Sequence, residues 1–322
     1  MRSIIEMDNC QIEITNACHL DCSNCTRLCG HHKKPYMMNM ETFKKAVDSV
    51  VNYPKMVGIM GGEPLLHPKF KEFCEYALSK IPRERLALWS SFPAGKEHYA
   101  ETIAETFGNI LLNDHTRPDI YHAPILIGIE DLLVHREDIW PVVDKCWVQN
   151  SWSASINKYG AYFCEIAAAM AMLCKDPEHA WPVDSLWWKK APIHFTAQAE
   201  KWCPQCGMAV PLTRRLSIDG KDDISPKWAA KLKGHSRKVD ANKCVVHLSQ
   251  VEQNPAPMAS YKDNGYREAI AAKYGMHLTI NERKYWEPHM GTAGPSLFDN
   301  YQAKYKGLID IDCAEENECG VK

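Results

Sequence analysis

Gln11–Cys25 reads QIEITNACHLDCSNC. Its first five residues place Ile12 and Ile14 on one face and Gln11, Glu13 and Thr15 on the other, the period-2 pattern of a strand. The strand runs straight into three cysteines, Cys18, Cys22 and Cys25, packed within eight residues. A strand that ends in a reactive loop, repeated along a chain, is the usual layout of parallel α/β folds.

Working outward, the alternation continues. Asn39 is a good N-cap for a helix over Met40–Val51, with Phe43, Ala46, Val47 and Val50 at helical spacing. Met56–Met60 reads as a buried strand ending at Gly61-Gly62, and Lys69–Ser79 as a helix. A strand at Leu86–Trp89, a helix at Glu97–Phe107, and strands at Ile110–Leu112 and Ile125–Ile129 follow. Ile139–Val143 reads as helical, and a sixth strand is expected near Cys146–Val148. The pattern predicts an α/β fold, a partial (β/α)6 TIM-like barrel with chemistry at the C-terminal strand ends. Beyond it, Ser153–Tyr162 predicts a hairpin and Glu165–Leu173 a helix. A smaller, C-terminal cysteine-rich module is expected there. The division is 1–145 for the barrel, 146–244 for the module and 245–322 for an extension of unassigned role.

Composition narrows the class. A length of 322 residues suits one large domain or a domain with a smaller partner. A net charge of -2 argues against a surface that grips nucleic acid or anionic lipid as a whole. The longest apolar run, Ile166–Cys174, is too short to span a bilayer. Met1–Asn9 carries charges and no long apolar stretch, so no export signal is read and a cytoplasmic, reducing setting is expected. There, clustered cysteines point to metal or catalysis more often than to disulfides.

Three thiolates in so tight a loop suit three corners of an iron–sulfur cluster and leave one iron open. A closed zinc site wants four ligands, which His31, His32 or Cys29 could complete. Gly61-Gly62-Glu63-Pro64 sits at the end of the second strand. Its glycines permit close backbone approach, and its carboxylate suits an ammonium group.

Together, Cys18-x3-Cys22-x2-Cys25 and Gly61-Gly62-Glu63 resemble the radical S-adenosylmethionine (SAM) superfamily, over roughly residues 10–146. The resemblance implies a 4Fe–4S cluster on Cys18, Cys22 and Cys25. It implies SAM held at Gly61, Gly62, Glu63 and Pro64, with Ser90 and Ser91 as further contacts at the third strand end. It implies reductive cleavage of SAM to a 5′-deoxyadenosyl radical that takes a hydrogen atom from a substrate. An electron donor such as flavodoxin or ferredoxin is the implied partner. The position before the third cysteine, often aromatic in the family, is Asn24 here. Ser23 and Asn24 are candidate tuners of the cluster.

Farther on, Cys146, Gly160, Cys164, Cys203 and Cys206 resemble a reduced SPASM/twitch extension. That implies one auxiliary cluster on Cys146, Cys164, Cys203 and Cys206, with Cys174 or Cys244 as substitutes; the alternative is a zinc knuckle on the same residues. Such relatives often modify peptides, so a peptide or protein is one expected substrate. Residues 189–243 hold twelve Lys/Arg against five acids, and contain Trp202 and Trp228 and adjoin Trp187 and Trp188. Basic residues with aromatics can hold phosphate and stack bases, so a nucleotide or sugar-type substrate is the other; nucleic acid is not favoured. The alternative from another class is a non-catalytic zinc- or iron–sulfur-binding interaction protein.

Overall fold

The computed structural model describes residues 1–117, 119–132, 138–210, 212–247 and the backbone of 278–280. The central sheet is built from β1 (Asn9–Thr15), β2 (Met56–Gly61), β3 (Leu86–Ser90), β4 (Asn109–Leu112), β6 (Ser153–Asn157), β7 (Gly160–Tyr162) and β11 (Leu278–Ile280). Its order is β11-β4-β3-β2-β1-β6-β7. All neighbours are parallel except β7, which turns back on β6. Helices α1 (Met40–Ser49), α2 (Phe70–Lys80) and α3 (Ala100–Thr106) connect the first four strands.

Local sequence explains these elements. The Asn39 side chain accepts from the Thr42 amide at 2.8 Å and so starts α1. Phe43, Ala46 and Val47 then fall on its buried face. Phe43 stacks on Phe73 of α2 with ring centres 4.0 Å apart. Strand β1 is buried on both faces, because its non-polar side packs in the core and its polar side, Gln11 and Glu13, is covered as well.

Two expected strands do not form. The backbone of Ile125–Ile129 is engaged elsewhere: the Gly207 amide donates to Ile125 O and the Ser225 amide to Leu126 O, each at 2.8 Å. Helix α4 (Ile129–Leu132) begins where the strand would end. Cys146–Val148 continues the turn of α5 (Ile139–Val143), with the Cys146 amide on Val143 O at 3.0 Å. A single π-helical turn, Val148–Trp152, follows. The strand comes later, as β6, and pairs with β1 from Asn9↔Ser153 to Ile12↔Ile156. The hairpin expected in the C-terminal module is thus part of the central sheet. Helix α6 (Glu165–Cys174) is apolar all round from Ile166 onward, and its residues Glu165–Leu173 are buried.

Other described strands and α-helices lie outside this sheet. They are β5 (Tyr121–His122), α7 (Thr196–Trp202), β8 (Arg215–Leu216), β9 (Asp222–Ile224), α8 (Pro226–Leu232), α9 (Arg237–Asp240) and β10 (Cys244–Val246). β8 pairs with β5, and β10 with β9. Trp187, Trp188, Trp202 and Trp228 are all at most 3% exposed, so they form core and offer no face to a base. No helix among the described residues is long and apolar enough to cross a membrane. Cys313 and Cys319 lie outside the described residues.

Candidate functional site

The cysteine loop leaves the end of β1 and is shaped by its own polar residues. The Thr15 hydroxyl accepts from the Ala17 amide at 2.9 Å and donates to Tyr36 O at 2.7 Å. The Asn16 side chain accepts from the Tyr36 amide at 2.6 Å. Asn24 and Leu28 adopt left-handed backbone, with φ of 47° and 55°. Asparagine tolerates that region better than most residues.

Cys18, Cys22 and Cys25 interact electrostatically with one another, and Cys18 with Glu63. Burial, then the neighbouring Cys25, pushes Cys22 up to about 12. Cys25 goes the other way, down to about 6, because the side chain of Cys29 hydrogen-bonds its sulfur against the cost of burial. Cys29 therefore lies beside a loop thiol, a placement that spacing alone did not assign.

The Gly61-Gly62-Glu63 turn is bonded directly to this loop. The Gly62 amide donates to Thr15 O at 2.8 Å and the Glu63 amide to Ala17 O at 2.7 Å. A Cβ on Gly61 would collide with the Thr15 carbonyl, and one on Gly62 with that of Ala17. The glycines are needed here for the chain's own backbone to close on itself.

Glu63 is 1% exposed. Its carboxylate accepts from Ser90 Oγ at 2.7 Å, the Ser91 amide at 2.9 Å, Ser91 Oγ at 2.6 Å and the Leu65 amide at 3.1 Å. Ser90 and Ser91 thus orient Glu63. Pro64 opens the 3₁₀ turn Pro64–Leu66 that Glu63 caps.

The other wall of the loop comes from residues 215–247, which sequence reading did not connect to it. The Ser23 amide donates to Ser217 O at 2.8 Å, and His122 Nδ1 to Ser23 O at 2.6 Å. His122 Nε2 in turn meets His115 Nδ1 at 2.8 Å. Burial lowers His122 to about 4 and His115 to about 3, so both are neutral at pH 7. With His122 donating through Nδ1, its Nε2 is the acceptor and His115 Nδ1 carries the hydrogen.

Asn24 is the centre of this wall. Its backbone amide donates to Asp222 Oδ1 at 2.7 Å. Its side chain exchanges two bonds with Asp223. Arg215 forks onto the Asp223 carboxylate at 2.6 and 2.9 Å, and His247 joins it at 2.8 Å. These partners hold Asp223 below its ordinary value despite burial. Arg215 and Lys238 belong to the basic stretch, yet they are buried and ion-paired, and composition gave no sign of it.

Beneath the loop, Arg27 of the loop pairs with Glu165 of α6 at 2.8 Å and bonds Gln11 of β1. Glu13 is fully buried with neither carboxylate oxygen hydrogen-bonded. Burial raises it to about 7, against the pull of Arg27.

The second set of cysteines also converges. Cys146, Cys164, Cys203 and Cys206 line one pocket of ≈ 420 Å³, partly open to solvent and walled by apolar groups such as Phe163, Met170 and Trp202. Burial, then the other three thiols, raises Cys203 well above its usual range. Cys174 and Cys244 do not line this pocket.

Among the described residues, no three His, Cys, Asp or Glu side chains are grouped to hold a metal ion. A cubane offers each thiolate a separate iron, so its ligands need not close on one point. The donor sets, three thiols at a loop and four around an apolar pocket, suit a thiolate-bound centre, an iron–sulfur cluster or zinc, better than a hard cation.

The family model of the radical SAM superfamily matches residues 12–124, from β1 to just past β5. No curated protein matches the chain. Two crystal structures of BtrN are similar. The complex with AdoMet and 2-DOIA shares 16% identity over 62% of this chain and 88% of that one, with a TM-score of 0.40. Selenomethionine BtrN in an open conformation shares 14% over 62% and 86%, with a TM-score of 0.39. A radical SAM domain is present in this chain.

Proposed function

We propose that this protein is a radical SAM enzyme. The observation that carries the reading is the bonding of the Gly61–Glu63 turn onto the end of β1, directly beside Cys18, Cys22 and Cys25. Cys18, Cys22 and Cys25 would hold a 4Fe–4S cluster through three corners. The backbone of Gly61 and Gly62, with Glu63 and Pro64, would receive the aminoacyl end of SAM. Ser90 and Ser91 act by fixing the Glu63 carboxylate, and a contact of their own to SAM is compatible with their place at the end of β3. When bound, the cluster supplies the electron that splits SAM into methionine and a 5′-deoxyadenosyl radical, which abstracts a substrate hydrogen atom.

The pocket of Cys146, Cys164, Cys203 and Cys206 supports one auxiliary 4Fe–4S cluster in a reduced, twitch-like module. Apolar walls would limit its contact with water. The substrate class we propose is a peptide or protein, because the buried tryptophans remove the stacking face on which a nucleotide- or sugar-type compound was expected; the proposed electron donor is a flavodoxin or ferredoxin.

The test is anaerobic reconstitution of the full chain. About eight iron and eight sulfide per chain are expected for two such clusters. Under strong reductant, SAM should yield 5′-deoxyadenosine, and Cys22→Ala should abolish it. Stoichiometric zinc without charge-transfer absorbance, and no 5′-deoxyadenosine, would instead identify a non-catalytic metal-binding protein.

A further inference from the structure

Lys238, in α9, is 1% exposed, and its ammonium is spent entirely under the cysteine loop. Its Nζ donates to the carbonyl oxygen of Cys22 at 2.7 Å and to Asp222 Oδ1 at 2.6 Å. Asp222 also accepts from the Asn24 amide on Oδ1 and meets His31 Nε2 at 2.6 Å on Oδ2. His31 Nδ1 is bonded to Ser236 Oγ at 2.7 Å, next to α9. One buried ion pair, contributed from more than 190 residues downstream, thus grips the loop at Cys22, Asn24 and His31. Gly30 is part of the fit, since a Cβ there would collide with the Lys238 stem.

A buried ion pair is weak evidence of a stability role, because desolvation offsets most of the Coulomb gain. Its position suggests another role. A cluster that takes up an electron gains one negative charge, and its potential follows local charge and hydrogen bonding. Lys238 acts electrostatically on both Cys22 and Cys25. Further ion pairs lie around the loop, and the Glu63 and Glu13 carboxylates act on its thiols as well. Asp21 pairs with Arg237 and Lys243, and Arg27 with Glu165.

We propose that Lys238 is a positioning residue for the cluster at Cys18, Cys22 and Cys25, and that its ammonium, opposed by Asp222, sets how readily that cluster is reduced. This rests on the function proposed above. The pair makes the expected signs opposite. Lys238→Met removes a cation and disfavours the reduced state. Asp222→Asn removes an anion and favours it. The double variant removes both and returns near the starting point.

The experiment uses the reconstituted full chain and an EPR-monitored redox titration of the cluster whose spectrum changes when SAM is added. We expect K238M to lower the reduced-to-oxidised ratio at fixed potential about tenfold, or about 59 mV for a one-electron couple. D222N should raise it by a similar factor, K238M/D222N should lie within about threefold of the wild type, and K238R should recover most of the K238M loss. In the metal-free protein, amide exchange over residues 18–32 should accelerate about tenfold in K238M, with β1–β4 unchanged. Shifts of the same sign, or none, overturn the assignment, because loss of packing alone cannot reverse sign between the two variants. A wild type with no SAM-responsive cluster overturns the functional reading itself, and the proposal with it. A responsive wild type with unsplit variants overturns only the role of Lys238.

Discussion

Asn24 and Asp223 are locked to each other by a reciprocal pair of hydrogen bonds. Asn24 Nδ2 donates to Asp223 Oδ2 at 2.9 Å, and the Asp223 amide donates to Asn24 Oδ1 at 2.8 Å. The residue before the third loop cysteine therefore has a structural partner 199 positions away. An aromatic side chain at 24 could not exchange this pair of bonds with Asp223.

Asn24→Ala should leave the Asp223 amide buried without its partner and also strain a left-handed residue. The expected loss is about 2–3 kcal/mol of stability. Asn24→Gly relieves the strain but not the lost bonds, so it should fall between. Thermal unfolding of the metal-free proteins orders the three; equal stability of the Ala variant and the wild type would refute the account.

Gly62→Ala forces a Cβ into the Ala17 carbonyl, which is backbone and cannot swing aside. The turn must separate from β1, breaking the bonds from Gly62 and Glu63. A cost of about 1–3 kcal/mol is expected. On the proposed function, SAM affinity should drop more than tenfold, measured by calorimetry on reconstituted protein.

Ser91→Ala removes one of four donors to Glu63, and Ser90→Ala/Ser91→Ala removes two. The Ser91 amide and Leu65 amide remain, so the fold should persist. Weaker orientation of Glu63 should cost SAM binding about tenfold in the double variant, or about 1.4 kcal/mol. The same loss in a Glu63→Gln background would show that the serines act independently of the carboxylate.

Glu13 gives a pH signature. Its folded value, about 7, lies above the ordinary 4.5, with burial as the main cause. Between those values the folded protein keeps a proton that the unfolded chain releases. The Glu13 contribution to stability is therefore highest below about pH 4.5, declines as pH rises, and is lost by about pH 7. Glu13→Gln should remove this slope and stabilise the metal-free protein at pH 8 by on the order of 3 kcal/mol. Denaturant unfolding at pH 5 and 8 checks it; an unchanged difference between the two would count against the burial of Glu13.

Local pattern was enough for β1 to β4 and their helices, because period 2, period 3.6 and the Asn39 cap are short-range signals. It was enough for the hairpin at Ser153–Tyr162 too, though not for its place in the sheet. It failed at Ile125–Ile129, where the residues suit a strand but the loops carrying Gly207 and Ser225 reach their carbonyls first. It misplaced the strand after Cys146 because the π-helical turn there has no periodic signature.

The sequence by itself marked the candidate residues: three thiols at the end of a strand, a Gly-Gly-Glu turn at the end of the next, and four later cysteines. Spacing carries that information because each motif is contiguous or nearly so. Only the tertiary structure decided what braces them. The pairing of Asn24 with Asp223, of Cys22 with Lys238 and of Glu63 with two serines depends on buried polar groups finding partners far along the chain. Burial makes those partners obligatory, but nothing in a local stretch of residues says where they come from.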